Sequence, residues 1–203
     1  MPESPSSAAP AGAADTFPRL LLHHAKVRGE RPAIREKDFG IWQTWTWREV
    51  RDEVEALACG LAAAGFQRGM NLAIIGDNRP RMYFAIAAAQ SLGGVPVCLY
   101  QDAVAAEWIY VFKDAEIQFA IAEDQEQVDK LLEIQPQCPQ LKHIYYDDAR
   151  GLRNYDPNGL SSIADAQTRG REFAQSQPGF FAAEIARGSA SDIAAMFYTS
   201  GTT

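Results

Sequence analysis

The chain has 203 residues and a formal net charge of −7, with 47% hydrophobic and 22% charged residues. This length is enough for one sizeable core, and the balance of apolar and charged residues is typical of a globular protein. The acidic balance argues against a nucleic-acid partner, and no apolar run approaches the roughly 20 residues that a membrane helix needs.

The cysteines and the start of the chain bear on its cellular setting. Cys59, Cys98 and Cys138 are widely spaced and have no metal-ligand spacing to the three histidines. An odd, dispersed set of cysteines favours reduced thiols in a cytoplasmic protein. Residues 1–15 are rich in Pro, Ser, Ala and Gly and lack the basic start and apolar run of a secretory signal. We therefore expect a disordered tail over residues 1–15.

The first ordered element is predicted to be a helix that begins at Thr16 and ends at Gly29, because a hydroxyl cap is followed by a proline in the first turn. His23 and His24 are adjacent and are interpreted as surface histidines that cannot share a metal. The basic residues of this region are diluted by acidic ones and are interpreted as a solvated face. That interpretation leaves peripheral membrane contact open. The basic residues in question are Arg19, Lys26, Arg28, Arg31 and Arg35.

A β-hairpin is predicted next, with arms at residues 33–36 and 41–46 and a turn at residues 37–40. Thr46 and Glu49 then have the spacing of a capping box, and the helix that they open is predicted to run to residue 64. Three tryptophans lie close together in this region, at positions 42, 45 and 47. We interpret them as core packing between hairpin and helix rather than as a stacking surface for a ligand.

From residue 71 onward, strand and helix patterns alternate. Such alternation predicts an α/β fold with a mainly parallel sheet and helices on both faces. Residues 147–159 are predicted to be loop, followed by a helix over 163–174 that Ser161 or Ser162 caps and Gly170 weakens. A shorter helical piece is predicted from residue 178. The predicted strands cover residues 71–76, 95–100, 117–122 and 143–146, and the helices between them start near Pro80, after Asp102 and at Gln125.

Ligands of such sheets bind beyond the carboxyl ends of the strands, where three polar segments lie in this sequence: residues 76–78, 100–102 and 123–124. The adjacent carboxylates Glu123 and Asp124 could serve acid–base chemistry. Helix capping explains Asp77, Asp102 and Asp124 as well, and it is the interpretation that we prefer.

The end of the chain carries the sharpest functional signal. Residues 193–198 are an apolar run that suits a strand buried on both faces, although so short a run does not by itself distinguish a strand from a buried helix. Four hydroxyl residues around one glycine follow directly, which is what a phosphate-holding turn needs, although a solvated Ser/Thr tail has the same composition. These residues are Thr199, Ser200, Gly201, Thr202 and Thr203.

The string from Tyr198 to Thr203, behind Asp192-Ile193-Ala194, resembles the phosphate-loop signature of the adenylate-forming, or AMP-binding, enzymes. Further stretches resemble the bacterial long-chain fatty acyl-CoA synthetase branch of that superfamily, so the resemblance covers about residues 17–203. It implies that Thr199, Ser200, Gly201, Thr202 and Thr203 bind the β- and γ-phosphates of ATP. The further stretches are residues 35–44, 73–80, 94–97, 122–132 and 146–153.

The resemblance also implies the chemistry: a fatty acid is adenylated by ATP with Mg²⁺ present, and coenzyme A then displaces AMP to give a thioester. In relatives the loop lysine, the magnesium carboxylate, the adenine site and the small C-terminal domain lie further downstream. We therefore expect residues 16–203 to be the truncated N-terminal portion of an AMP-binding domain, poorly soluble and inactive alone. Two alternatives stay open, a non-catalytic binding or regulatory module of the same fold and an adenylation domain for an aryl or amino acid.

Overall fold

The computed structural model describes residues 14–199, which contain seven α-helices and seven β-strands. Of the predicted tail, only Ala14 and Asp15 fall within this range, and Asp15 forms an ion pair with Arg19. The elements in chain order are α1 Phe17–Val27, β1 Pro32–Asp38, β2 Ile41–Thr46, α2 Trp47–Ala63, β3 Asn71–Ile75, α3 Pro80–Ser91, β4 Val95–Leu99, α4 Ala105–Asp114, β5 Phe119–Ala122, α5 Gln125–Ile134, β6 His143–Tyr146, β7 Leu160–Ser162, α6 Ile163–Ser176 and α7 Phe180–Ala186.

Five strands form a parallel sheet in the order β4-β3-β5-β6-β7. Alternate residues of β3 face opposite sides, so that Leu72 and Ile74 pack with α1, α2, α3, α6 and α7, while Ala73 and Ile75 pack with α4 and α5. Because both faces are covered, the strands carry almost unbroken apolar sequences. The predicted α/β fold with helices on both faces and a separate N-terminal hairpin is confirmed. Within residues 14–199, no helix is long and apolar enough to cross a membrane.

The hairpin of β1 and β2 closes through a tighter turn than the sequence predicted. Asp38 lies opposite Ile41, so the loop consists of two residues. Both of them, Phe39 and Gly40, have positive φ angles of 45° and 82°. A two-residue turn of this kind matches the right-handed twist of the strands, which lets both arms extend further than the four-residue turn would allow.

The tryptophans divide between core and surface. Trp45 packs edge-on against Phe84, with ring centroids 6.1 Å apart, and Trp47 lies 4.6 Å from the ring of His24. Core packing is thus correct for these two residues, and His24 is half-buried rather than on the surface. Core packing is wrong for Trp42, which is exposed, because residues 42 and 45 point to opposite faces of the strand.

The capping predictions at both long helices hold. Thr46 accepts a hydrogen bond from the Glu49 N–H, and the Glu49 carboxylate accepts one from the Thr46 N–H at 2.7 Å. At α6, the Ser162 hydroxyl accepts from the Asp165 N–H at 3.0 Å. The three residues before α6, Leu160–Ser162, form β7. This strand was not predicted, because three residues are too few to show an apolar period.

The sequence predicted that Gly170 breaks or weakens this helix; the break is wrong, since α6 is continuous from Ile163 to Ser176. A Cβ atom added at Gly170 would lie 1.8 Å from the carbonyl oxygen of Ala56 in α2. A Cβ atom added at Gly60 would likewise lie 2.1 Å from the carbonyl oxygen of Ala166. The two glycines therefore allow the backbones of α2 and α6 to touch.

The strand predicted over residues 193–198 is not formed as expected. Within the described chain it makes one bridge, in which the Met196 N–H donates to the Pro96 carbonyl at 3.0 Å. In a parallel ladder the next donor would be the N–H of residue 96, which proline lacks. The Gln90 side chain donates to the Ala194 carbonyl instead, at 2.6 Å. Ile193 and Phe197 are exposed rather than buried, because β4 is the edge of the described sheet.

Replacing Thr46 with alanine should lower the free energy of unfolding by about 0.5–2 kcal/mol, because an N–H of the first turn loses its acceptor. Urea unfolding of the full-length protein measures the change. Thr168→Ala is the control, since that exposed hydroxyl only bonds the carbonyl one turn back in α6. Equal losses in the two variants would contradict the capping box.

Replacing Gly170 with alanine tests the backbone contact between α2 and α6, because the contact determines whether the free energy of unfolding falls or rises. In an ordinary helix interior this change stabilises by up to about 1 kcal/mol. Here the added methyl group has no space beside Ala56, so we expect a loss of about 1–3 kcal/mol in thermal or urea unfolding. A gain in stability would show that α2 and α6 are not in backbone contact.

Candidate functional site

The candidate site lies at the edge of the sheet where the parallel strands end. Residues 76–78, 100–102 and 123–124 follow β3, β4 and β5, so the three predicted polar segments lie at this edge. The segment that contains Met196 runs parallel to β4, with Met196 beside Val97. Its direction carries the chain toward the same edge at residue 199.

Glu123 connects three of the surrounding segments. Its carboxylate accepts a hydrogen bond from the Asp77 N–H and contacts the Arg79 guanidinium, with Nε and Oε1 2.5 Å apart. Arg79 also reaches Glu36 of the hairpin at 3.2 Å. A Cβ atom at Gly76 would lie 2.7 Å from the Cβ of Glu123, so a glycine is needed for this approach. The Glu123 side chain is 13% exposed, and its charge is compensated by Arg79.

The polar contacts continue from Asp77 toward α5. The Gln101 side chain donates to the Asp77 carboxylate at 2.7 Å, and the Lys130 ammonium donates to the Gln101 carbonyl at 2.6 Å. Lys130 also lies 5.6 Å from the ring centroid of Trp108. One set of hydrogen bonds and ion pairs thus joins the ends of β3, β4 and β5 to the hairpin and to α5.

Helix capping is confirmed for one of the three aspartates. Asp124 accepts from the Gln127 N–H at 3.3 Å and caps α5. The prediction is wrong for Asp77 and Asp102, because α3 and α4 begin after Arg79 and Val104, without a side-chain cap. The carboxylates of Glu123 and Asp124 are therefore engaged by different partners, and nothing joins them as an acid–base pair.

A polar cavity of about 700 Å³ opens beside this edge. The segment after β6 forms a fourth wall of this cavity. It was not predicted, although it follows the carboxyl end of a predicted strand, and that position was the signal that could have found it. Asp147 in that wall pairs with Arg81 at 2.9 Å. Burial raises the pKa of Asp147, and the charge of Arg81 opposes that shift. The lining residues are Glu36, Asp38, Phe39, Gln43, Trp45, Arg79, Arg81, Glu123, Asp124, Asp147, Asp148, Ala149 and Arg150.

Of the predicted phosphate loop, the structure describes Thr199, whose side chain is exposed. Ser200, Gly201, Thr202 and Thr203 lie outside the described residues. The preceding residue is held firmly, because the Tyr198 hydroxyl donates to the Asp114 carboxylate at 2.6 Å. Burial, together with this bond, raises the pKa of Tyr198 to about 12. Tyr198 therefore stays neutral at physiological pH, and its hydroxyl remains a hydrogen-bond donor to the Asp114 carboxylate.

Among residues 14–199, no group of three or more His, Cys, Asp and Glu side chains is arranged to hold a metal ion. The carboxylates at the sheet edge are bonded to arginines, amides and backbone N–H groups instead. Cys59, Cys98 and Cys138 are free thiols, and burial raises the pKa of Cys59 to about 11. A thiol with so high a pKa is a packing group rather than a nucleophile.

The sequence matches the model of the AMP-binding enzyme family over residues 21–203. This match covers most of the chain, and the protein belongs to that family. Among curated relatives, the long-chain-fatty-acid–CoA ligase ACSBG2 of Xenopus laevis is 27% identical over 190 residues, which are 93% of this chain and 25% of that protein. The long-chain-fatty-acid–CoA ligase FadD15 of Mycobacterium bovis is 27% identical over 192 residues, 95% of this chain and 30% of that protein.

A third relative acts on a different kind of acid. The 2-succinylbenzoate–CoA ligase of Bacillus pumilus is 32% identical over 99 residues, 49% of this chain and 20% of that protein. The chain thus spans about a quarter to a third of the length of the first two relatives.

Solved structures support the fold. The apo structure of Mycobacterium smegmatis MbtA superposes with a TM-score of 0.69 at 18% identity, covering 92% of this chain and 32% of that one. The anthranilate–CoA ligase AuaEII in complex with anthranoyl-AMP superposes with a TM-score of 0.64 at 19% identity, covering 74% of this chain and 26% of that one.

Replacing Glu123 with glutamine should destabilise the protein by about 1.5–3 kcal/mol, because the Arg79 charge loses its buried partner. Glu126→Gln is the matched control. That carboxylate is 68% exposed and pairs with Lys130 one turn away in α5, so its loss should cost under about 1 kcal/mol. Urea unfolding of both variants makes the comparison, and equal losses would contradict the role of Glu123 at the sheet edge.

Proposed function

We propose that the protein takes part in the ATP-dependent activation of a long-chain fatty acid as its coenzyme A thioester. The observation that carries the proposal is the course of the chain from Met196 to Thr199. This segment runs parallel to β4 and reaches the carboxyl edge of the sheet at Thr199, which is the first of the hydroxyl-rich residues 199–203 of the sequence. In parallel α/β sheets that edge is where ligands bind.

In the proposed reaction, the carboxylate of the acid attacks the α-phosphate of ATP and pyrophosphate leaves, after which the thiol of coenzyme A displaces AMP. The loop has the groups that such a step needs. Backbone N–H groups and hydroxyls that converge on the β- and γ-phosphates hold them in line and stabilise the charge of the leaving pyrophosphate.

The charges at the carboxyl edge of the sheet support the assignment of phosphate binding to the loop. Asp77, Asp102 and Glu123 would repel a polyphosphate. Of these three carboxylates, Arg79 directly contacts that of Glu123, and it shares its charge with Glu36. Two further cations in the cavity, Arg81 and Arg150, are already paired with Asp147 and Asp148. We therefore infer that the attraction comes mainly from residues 199–203 and from Mg²⁺ bound with the nucleotide. Since residues 14–199 offer no three-ligand cluster, we assign no residue of this range as a magnesium ligand.

The choice of a fatty acid is supported by the two relatives named long-chain-fatty-acid–CoA ligases, which align with more than nine-tenths of this chain. A second candidate substrate is an aryl acid. It is supported by the higher identity of 32% to the 2-succinylbenzoate–CoA ligase over a shorter alignment. We propose a cytoplasmic setting for either activity, because both would draw on ATP and coenzyme A.

The test is acid-dependent exchange of pyrophosphate into ATP by the full-length protein, with a long-chain fatty acid and with 2-succinylbenzoate. We expect exchange with the fatty acid and a loss of roughly tenfold or more when Thr199, Ser200 or Thr202 is replaced with alanine. Thr168→Ala, on the exposed side of α6, is the control and should retain full exchange.

The exchange assay tests the choice of substrate and the assignment of the loop separately. Exchange with 2-succinylbenzoate but not with the fatty acid would replace the proposed substrate and keep the loop. Full exchange in the three loop variants would refute the loop assignment, whichever acid is used.

A further inference from the structure

The tip of the hairpin exposes three large apolar side chains together. Phe39 is 88% exposed, Ile41 65% and Trp42 64%. They occupy adjacent positions around the two-residue turn of a ribbon that forms a sheet of its own. Large apolar side chains grouped in this way mark interaction surfaces more often than singly scattered ones do.

The same tip carries cations on its outward face. Lys37 lies directly opposite Trp42, and Arg35 lies opposite Thr44, so these four side chains share one face of the ribbon. Neither Arg35 nor Lys37 forms an ion pair with any residue in the range 14–199. The carboxylate of Glu36, in contrast, points to the other face and pairs with Arg79. The outward face therefore places Trp42 beside two cations, whereas Ile41 lies opposite Asp38 on the inward face and Phe39 is in the turn between the two arms.

We propose that this tip, formed by Arg35, Lys37, Phe39, Ile41 and Trp42, docks on the surface of an anionic lipid bilayer. Phe39 and Ile41 would enter the boundary of the acyl chains, and the amphipathic ring of Trp42 suits the headgroup level. Arg35 and Lys37 would meet the negative headgroups. The overall charge of −7 does not prevent this, because salt screens charges that lie more than about 8–10 Å away.

A protein partner fits the same surface less well. The three apolar side chains together offer on the order of 400 Å². A stable protein interface needs about 800 Å² from each partner. A second copy of this chain fits worse still, because a two-fold contact would bring the cations of one tip against the same cations of the other. A bilayer needs no surface of complementary shape. Its binding to a protruding apolar tip is favoured by the apolar area that becomes buried and by the attraction between nearby cations and anionic headgroups.

Docking would also orient the candidate site. The inward face of the hairpin, with Glu36, Gln43 and Trp45, forms one wall of the polar cavity at the sheet edge. A bilayer that holds the tip would therefore lie beside the mouth of that cavity. This inference does not depend on the proposed activity, since it rests on exposure and charge at the hairpin.

The experiment is flotation of the full-length protein with vesicles, without ATP or fatty acid. One set contains phosphatidylcholine alone and the other phosphatidylcholine mixed with phosphatidylglycerol. We expect binding to the mixed vesicles that weakens with added salt and falls at least about fivefold in Lys37→Glu, because the reversal removes the attraction of one cation and adds the repulsion of one anion. The double variant Phe39→Ser/Trp42→Ser should lose more, because burial of apolar area drives the insertion.

Two controls match these variants. Lys26→Glu changes an exposed cation of α1, and Phe17→Ser changes a side chain that is 64% exposed at the start of α1. Both should bind like the unmodified protein. A second measurement is quenching of tryptophan fluorescence by brominated phosphatidylcholine, which should largely disappear in Trp42→Ser because the other three tryptophans are half-buried or buried.

Three results would overturn the inference: no binding to the mixed vesicles, equal binding by the tip variants and the controls, or dimers in light scattering that Phe39→Ser dissolves. The pyrophosphate exchange assay, run with a soluble acid and no vesicles, is independent of each of them. Failure of the membrane inference would thus leave the proposed activity untouched, and the reverse also holds.

Discussion

The structure depends on the parallel pairing of β3 with β4 on one side and β5 on the other. Register pairs Ile74 with Cys98 and with Ile121, so the three strands end at nearly the same level. Their side chains are apolar on both faces, which commits the sheet to burial between two layers of helices. Every polar group that follows a strand is then placed at one edge, and a site at that edge is a consequence of the pairing.

The close approaches around the sheet explain the positions of several glycines and charges. Gly60 and Gly170 let α2 and α6 pack backbone to backbone over one face of the sheet. At the edge, Gly76 lets the Glu123 carboxylate reach the Asp77 N–H, and Arg79 compensates the charge that is brought out of water. Removing Arg79 would leave the Glu123 carboxylate, which is 13% exposed, without its cation, whereas removing Glu123 would leave the more exposed Arg79 with Glu36 as its remaining carboxylate.

Much of this could be predicted from the sequence, because the signals were local. The cap of Asp124 places the start of α5 at Gln125, as predicted, and His143–Tyr146 is a strand as predicted. The phosphate loop also rests on a local string, and because the structure describes only Thr199 of its residues, the loop stays a prediction.

The predictions that failed depended on contacts between distant segments. Gly170 appeared to weaken a helix because the sequence does not show that α2 passes over it. The strand predicted over residues 193–198 has one bridge in the described chain. Its neighbour is β4, which is the edge of the described sheet and has Pro96, a residue without an N–H, at the next donor position. Trp42 was predicted to lie in the core because it is close in sequence to Trp45 and Trp47, whereas the alternation of side chains along the strand directs it outward.

We propose that ATP binds at the carboxyl edge of the sheet through residues 199–203. Hydrogen–deuterium exchange of the full-length protein, with and without ATP, measures whether these residues hold the nucleotide. Backbone N–H groups that hold phosphate exchange slowly, so the account predicts that ATP protects peptides covering residues 199–203 and 76–78. Protection confined to the opposite edge, in the turns at residues 65–70 and 115–118, or no protection at residues 199–203, would contradict it.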